Sequence, residues 1–250
     1  MKQRVIIRWV LPRLLKAVTA WRVALREKIG AGSEFSSWWY FISMWDLQHV
    51  VWVRDFIAGQ HQFEPFKQYK FTNEIIQVWS YLDRLMIHLI LQIIRPTFKH
   101  IISPLCTHLV GPSAVKTVTR QIKAALGSGQ YNYYLRVDIK SYYKSINHRL
   151  LIKQLEQHFM DPILLRYLKD IVTIGIDYGG NILLPASGIP VRSSLSPFFG
   201  ALYLSELDQA FTKRKGVFYL RYMDDIIILT KTKRLSLPWG ELCGDANPAR

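Results

Sequence analysis

The chain has 250 residues, half of them hydrophobic, a formal net charge of +15 and an isoelectric point near 9.9. This length buries one large core or two small ones, and the positive charge favours partners that carry phosphate backbones. The two cysteines, Cys106 and Cys243, lie far apart and outside any metal-ligand spacing, which excludes a disulfide framework or a zinc site and favours a reducing cytoplasm.

The N-terminal residues 1–34 predict a basic helical extension. Bulky apolar residues alternate there with arginine and lysine, and Arg8, Pro12 and Arg13 interrupt the apolar run that a signal peptide needs. Such a helix packs on the protein body, on RNA or on a membrane surface, and these alternatives stay open. The apolar stretch at residues 85–109 contains charged residues and a proline, so no integral membrane association is expected.

The next region, residues 35–126, is predicted to be mostly helical. Tryptophan-rich helices are expected at residues 35–59, and longer helices at residues 83–98 and 114–126. A Gly-Ser-Gly turn at residues 127–129 then begins a region of mixed strands and helices.

This mixed region is predicted to run over residues 127–233. It includes a helix near residues 150–159 and a hairpin around residues 177–181, whose Gly-Gly pair suits a tight turn. Residues 234–250 contain two prolines and two glycines without a helical period, so they predict an irregular tail.

A first carboxylate stands at the end of a short strand within residues 127–233. The apolar run at residues 133–137 predicts a strand that ends in Asp138, and a helix is expected to begin near Ser141. Two interpretations are open at this point. Asp138 either caps that helix or supplies an oxygen ligand to a metal ion.

Residues 188–208 predict a loop that runs into a helix. Ser196 suits the N-cap position and Pro197 the first helical position. The apolar residues that follow at helical spacing are Phe199, Leu202, Tyr203 and Leu207.

Two further carboxylates, Asp224 and Asp225, stand at the centre of residues 218–229. Apolar runs rich in aromatic and β-branched residues flank them, so the pair is predicted to lie at the tip of a hairpin. Adjacent like charges repel each other, and divalent cations with oxygen ligands relieve this repulsion. The alternative is that both aspartates are ordinary turn residues.

The order of these segments resembles the palm of the reverse transcriptases, in particular the bacterial, group II intron-like branch. Asp138 matches the first palm aspartate, residues 188–208 match the loop and helix behind the template and incoming nucleotide, and the Tyr-Met-Asp-Asp of residues 222–225 matches the YxDD box. The Asp-Arg pair at Asp83 and Arg84 resembles the fingers motif. The resemblance covers about residues 38–233.

The resemblance implies an α+β right-hand polymerase. Residues 35–126 would form the fingers, and residues 127–233 a palm whose antiparallel sheet is backed by helices. Polymerases of this type continue into a helical thumb, but only 25 residues follow Asp225. We therefore expect a thumb to be missing, and residues 234–250 to be a linker or an out-of-frame tail after a truncation.

The implied activity is RNA-directed DNA synthesis from an RNA template and a DNA or RNA primer with deoxynucleotide triphosphates. Two magnesium ions about 3.5–4 Å apart would activate the primer 3′-hydroxyl and hold the triphosphate. Asp138 and Asp224 would be the main ligands, with Asp225 supporting them.

The resemblance also implies substrate-binding residues. Tyr143 matches the aromatic residue beneath the sugar of the incoming nucleotide, which favours deoxynucleotides; the alternative for this ring is core packing. Arg84 is expected near the triphosphate. The other expected substrate-binding residues are Lys140, Pro190, Arg192 and Tyr222.

One motif departs from the family pattern. Relatives have Pro-Gln-Gly where this chain has Pro190-Val191-Arg192, and a β-branched residue followed by a long one crowds the approach to the incoming base pair. Arg192 either reaches a phosphate group or alters or abolishes activity. The rivals to an active enzyme are therefore a non-catalytic nucleic-acid-binding remnant, a basic membrane-surface protein and a two-metal nuclease.

Overall fold

The computed structural model describes residues 34–70, 75–109, 111 and 114–232. The predicted N-terminal extension, apart from Glu34, and the predicted irregular tail lie outside these residues. The chain divides into two compact units. The first contains residues up to Pro96 together with Ile152–Leu195, and the second contains Thr97–Leu151 together with residues from Ser196 onward.

The helices and strands of the described residues follow in chain order. The helices are α1 (Glu34–Ile57), α2 (Tyr81–Ile94), α3 (Phe98–Ile101), α4 (Ala114–Gly127), α5 (Tyr142–Ser145), α6 (His148–His158), α7 (Pro162–Val172), α8 (Ser196–Tyr203) and α9 (Ser205–Thr212). The strands are β1 (Phe66–Lys70), β2 (Ile75–Val78), β3 (Tyr133–Asp138), β4 (Ile176–Tyr178), β5 (Asn181–Leu183), β6 (Val217–Tyr222) and β7 (Asp225–Thr230).

Most predicted elements are confirmed, with three shifts. The tryptophan-rich segment forms one helix, α1, rather than several. Helix α2 ends at Ile94, and a short 3-10 helix, Arg95–Thr97, follows it because Pro96 has no amide hydrogen for a regular helix. The helix predicted from Ser196 is interrupted at Leu204, so that α8 and α9 are separate.

The sheet of the first unit is mixed. Its strand order is β2-β1-β4-β5, with β1 antiparallel to β2 and parallel to β4. The predicted hairpin at residues 177–181 is confirmed as the antiparallel pair β4–β5. Gly179 and Gly180 form its turn with φ values of 69° and 102°, a backbone conformation that glycine adopts without steric cost.

Helix α2 is the most buried helix of the first unit. Ser80 caps its N-terminus by accepting a hydrogen bond from the Asp83 amide, and the side chains of Met86 and Ile90 are completely buried. Tyr167 of α7 donates a hydrogen bond to the Phe56 carbonyl at 2.7 Å, and the two rings stack with centroids 4.8 Å apart. Aromatic packing therefore contributes much of the core of this unit.

The sheet of the second unit is antiparallel, with strand order β3-β7-β6. Side chains alternate between its faces. One face packs into a core with Phe211 of α9, and its buried members are Val137, Tyr219, Ile226 and Ile228. The opposite face carries the predicted carboxylates.

Among the described residues, no helix is both long enough and apolar enough to cross a lipid bilayer. Within residues 85–109, helix α2 ends at Ile94.

Candidate active site

Two of the predicted carboxylates face each other across the second unit's sheet. Asp138, the last residue of β3, pairs with Asp225, the first residue of β7, and Tyr222 of β6 pairs with Asp225 from the other side. Residues paired directly in an antiparallel ladder have Cα atoms about 4.5–5.5 Å apart and side chains on the same face. The register therefore brings Asp138, Asp225 and Tyr222 together in one row at the end of the sheet.

Asp224 lies in the two-residue turn between β6 and β7. The preceding residue, Met223, has a φ of 57°, a left-handed conformation that is unusual for a residue other than glycine. The Met223 amide donates to His108 Nδ1 at 3.2 Å, and the Met223 carbonyl accepts from Arg221 Nη1 at 3.1 Å. Both polar groups of this strained residue are thus paired, which fixes the turn that carries Asp224.

His108 joins this turn to the start of α8. Because its Nδ1 accepts a hydrogen bond, the proton resides on Nε2, which donates to the Pro197 carbonyl at 3.0 Å. Burial lowers the pKa of His108, so the ring is neutral near pH 7 as this arrangement requires. The position of His108 beside the Tyr-Met-Asp-Asp turn gives it a structural role that the sequence did not indicate.

A fully buried ion pair lies on the core face of the same sheet. Arg221 Nη2 and Nε donate to the two oxygens of Asp208 at 2.6 and 2.8 Å, and the Tyr219 hydroxyl donates to Asp208 Oδ1 at 2.7 Å. Arg221 Nη2 also reaches the Ala201 carbonyl at 3.0 Å. Burial opposes the charge on Arg221, but the hydrogen bonds to Asp208 raise its pKa above the ordinary arginine value. One guanidinium therefore ties α8, α9 and the Met223 turn together.

On the other face of the sheet, an arginine forms an ion pair with one of the carboxylates. Arg136 Nε and Nη2 both donate to Asp225 Oδ1, at 3.2 and 2.9 Å, and this hydrogen bonding raises the pKa of Arg136. The side chains are 68% and 43% exposed, so the pair is weak and water competes for it. A cation that approaches Asp225 therefore competes with Arg136 for the same oxygen.

The carboxylates fit one mode of metal binding and not another. Over residues 34–70, 75–109, 111 and 114–232, no group of three or more His, Cys, Asp or Glu side chains forms a ready-made metal cage. Magnesium in phosphate-handling sites is instead held by one or two carboxylates completed by substrate phosphates and water. Asp138 and Asp225, with Asp224 next to them, are hard oxygen donors of that kind.

Asp138 does not cap the helix that follows it. Helix α5 begins at Tyr142, its capping residue is Ser141, and no side chain makes a capping hydrogen bond there. Ser141 itself has a φ of 53°, in the left-handed region. The carboxylate of Asp138 is therefore not used by the helix that follows it.

The two tyrosines of α5 differ in their surroundings. Tyr142 is buried and donates a hydrogen bond to the Gly200 carbonyl at 2.5 Å. Tyr143 is half-buried, and both burial and the nearby charge of Asp224 raise its pKa, so its hydroxyl stays protonated. Tyr142 accounts for the core packing in this segment, whereas Tyr143 lies within electrostatic reach of Asp224.

Other predicted site residues lie in the first unit. Pro190 is buried, and the Val191 amide donates to Gln77 Oε1 at 3.0 Å. Arg84 and Arg192 both line a cavity of about 280 Å³. Lys140, in the second unit, is exposed.

Asp83 has a structural role that the sequence did not indicate. Its carboxylate accepts hydrogen bonds from the His61 ring at 2.9 Å and from the Glu64 amide at 3.1 Å, and it is 1% exposed. The aspartate of the Asp-Arg pair thus fixes residues 61–64 against α2, while Arg84 beside it is exposed.

A hairpin with carboxylates at its tip, paired with a third strand that ends in another carboxylate, is typical of template-directed polymerases. The reverse transcriptase (RNA-dependent DNA polymerase) family matches residues 73–237. The chain therefore belongs to that family. Members of the family copy a nucleic-acid template with nucleotide triphosphates and generally use divalent cations.

Solved structures support the same fold. The chain is similar to a protein in a partial Cas6-RT-Cas1–Cas2 complex and to one in a Cas6-RT-Cas1–Cas2 complex, each with 20% identity and a TM-score of 0.52. In both cases 95% of this chain is covered, but it spans only 41% and 26% of the length of those proteins. A comparison with curated protein sequences gives no match.

Proposed function

We propose that this chain forms the fingers and palm of an RNA-directed DNA polymerase that adds deoxynucleotides to a primer 3′-hydroxyl on an RNA template. The observation that carries the proposal is the pairing of Asp138 with Asp225 beside the turn that holds Asp224, within the segment that matches the family. Fingers at residues 35–126 and a palm at residues 127–233 remain the proposed domain boundaries.

The three aspartates are the proposed ligands for two magnesium ions. When bound, these ions would lower the pKa of the primer hydroxyl and neutralise charge on the triphosphate. Asp138 and Asp225 lie on one face of the sheet, and Asp224 is held beside them by the fixed Met223 turn. Arg136 balances the charge of Asp225 and would have to release it to a cation.

The incoming nucleotide is proposed to be a deoxynucleotide triphosphate. Tyr143 is the proposed discriminating residue, because its half-buried ring lies within electrostatic reach of Asp224 and its hydroxyl stays neutral. A ring at that position would collide with a ribose 2′-hydroxyl. Arg84, Lys140, Pro190, Arg192 and Tyr222 are the further proposed substrate contacts.

The finer assignments rest on the sequence motifs. The Tyr-Met-Asp-Asp box and the loop at residues 188–208 support a place in the bacterial, group II intron-like branch, with an RNA template and a DNA or RNA primer. The use of only two, widely separated cysteines favours the cytoplasm.

The test is magnesium-dependent primer extension on an RNA template by the wild type and by an Asp224→Asn/Asp225→Asn variant. Asp55→Asn is the control, because it makes the same kind of substitution at a carboxylate of α1 in the first unit. Since bound metal ions contribute several kcal/mol to the transition state, we expect the double variant to lose about 100-fold or more in rate. The control should keep its rate, and all three proteins should bind RNA.

Two results would contradict the proposal. Equal extension by the wild type and the double variant would exclude these carboxylates as the catalytic group. RNA binding without any extension by the wild type would favour the rival, a nucleic-acid-binding protein without polymerase activity. Arg192 in place of the family's glycine is the residue that most favours that rival.

A further inference from the structure

The first unit contains a cavity whose polar groups are mainly hydrogen-bond donors. Its volume is about 280 Å³, and its walls come from Trp79 before α2, from α2 itself and from the loop before α8. The lining residues are Trp79, Arg84, Ile87, His88, Arg192, Ser193 and Ser194. The lining includes two arginines and no acidic residue, so an anion is the ligand that the cavity favours.

One donor in the wall has no acceptor. Trp79 is 5% exposed, and no described residue accepts a hydrogen bond from its buried indole N–H. Buried donors are almost always paired, because an unpaired one loses its hydration without compensation. A bound ligand with acceptor oxygens would satisfy this group.

Arg192 stands on a fixed backbone with an exposed side chain. The Val191 amide beside it is bonded to Gln77, and the buried Ser193 hydroxyl accepts from the Leu195 amide at 3.3 Å. These bonds hold the loop on both sides of Arg192, so its guanidinium can reach a ligand at a low entropic cost. His88 adds no charge to the cavity, since burial lowers its pKa and the neighbouring Arg95 lowers it further.

We propose that this cavity binds a polyphosphate chain, with Arg192 and the Trp79 N–H as ligand contacts in addition to Arg84. The inference rests on the proposed function in that a nucleoside triphosphate is the natural source of such a chain. The cavity is close in size to small-ligand pockets, and its donors match terminal and bridging phosphate oxygens. Arg192 is thereby a binding residue at a position where the family pattern has glycine.

The experiment is calorimetric titration of the full chain at fixed ionic strength and without any divalent cation. The ligands are inorganic tripolyphosphate, a deoxynucleotide triphosphate, inorganic phosphate and a single-stranded RNA. The variants are Arg192→Gln and Trp79→Phe. Their matched controls are Arg149→Gln, an exposed arginine at the start of α6, and Trp45→Phe, an equally buried indole in the same unit.

We expect both triphosphate ligands to bind, with affinity reduced about tenfold or more by Arg192→Gln and several-fold by Trp79→Phe. Both controls should bind like the wild type. Equal affinity for Arg192→Gln and the wild type would overturn the proposal, as would equal losses in Arg149→Gln. Loss of RNA binding in Arg192→Gln without loss of triphosphate binding would assign the pocket to a nucleic-acid backbone instead.

The absence of metal and template separates this test from that of the polymerase activity. Triphosphate binding that depends on Arg192, in a chain that extends no primer, would support the pocket and refute the proposed activity. Primer extension that is unchanged in Arg192→Gln, together with unchanged triphosphate binding, would refute the pocket and leave the activity intact.

Discussion

At the scale of single residues, Arg221 is the side chain on which the candidate site most depends. It is completely buried, yet it bonds Asp208 twice and also reaches the carbonyls of Ala201 and Met223. A buried charge is tolerated only when its partners are complete. The Met223 turn, and with it Asp224, is therefore held by an ion pair on the opposite face of the sheet.

The first prediction concerns this pair. Asp208→Asn leaves Arg221 charged, buried and without a carboxylate, so we expect the free energy of unfolding to fall by about 3–5 kcal/mol. Urea denaturation followed by circular dichroism measures this change. Asp55→Asn, which removes a partly exposed carboxylate paired with its exposed neighbour Arg54, should change the unfolding free energy by less than about 1 kcal/mol.

A double variant separates the two functions of the pair. Asp208→Leu with Arg221→Met replaces both charges by apolar groups and should recover most of the lost stability. It also removes the hydrogen bond to the Met223 carbonyl, so primer extension should not recover with the stability. If the Asp208→Asn variant unfolded at the same urea concentration as the wild type, the ion pair would not be a stabilising contact.

At the scale of elements, the contact between α5 and α8 depends on a glycine. A Cβ atom at Gly200 would lie 3.2 Å from Tyr142 Cε1 and 3.4 Å from Tyr143 Cε1. The first distance is shorter than an ordinary van der Waals contact, and the second is at the lower limit of one. The Gly200 carbonyl also accepts a hydrogen bond from the Tyr142 hydroxyl. The backbone of α8 therefore contacts the tyrosine rings of α5 directly at this point.

The second prediction is that Gly200→Val destabilises the protein by about 1–3 kcal/mol, because the extra methyl groups overpack the interface with the tyrosine rings. Thermal unfolding measures the effect. Gly127→Ala, at the end of α4, is the control: its added Cβ meets no atom within 4 Å. A Gly200→Val protein that melts at the wild-type temperature would mean that α5 moves aside without cost.

At the scale of the whole molecule, the charge of +15 governs encounters with polyanions. Each phosphate that a basic side chain neutralises releases condensed counterions, so binding to RNA must weaken as salt rises. Charge of this kind supports binding to any RNA sequence, and specificity must come from contacts that the charge does not supply.

The third prediction is that affinity for a single-stranded RNA falls about tenfold or more between 50 and 200 mM salt, as measured by fluorescence anisotropy. A flat dependence on salt would exclude an electrostatic RNA interface. A parallel titration with anionic lipid vesicles tests the membrane-surface alternative, which depends on residues 1–34. Vesicle binding that persists after deletion of those residues would remove the predicted basic helix as its cause.

The local features of this chain could be predicted because local sequence encodes them. Apolar runs rich in aromatic and β-branched residues predicted β3, β6 and β7, and paired glycines predicted the β4–β5 turn, because strand propensity and backbone freedom are properties of neighbouring residues. The aspartates at strand ends were located in the same way. The assigned roles of these aspartates, and the boundaries between fingers and palm, stay predictions.

Only the tertiary structure decided the contacts between distant segments. The sequence offered one signal for Arg221, a charge within an apolar strand, but not its partner Asp208 on α9. The register of Asp138 against Asp225, the break between α8 and α9, and the cavity shared by Trp79 and Arg192 were likewise invisible. Each depends on which surfaces pack together, and packing energy sums over residues far apart in the chain, where local periodicity carries no information.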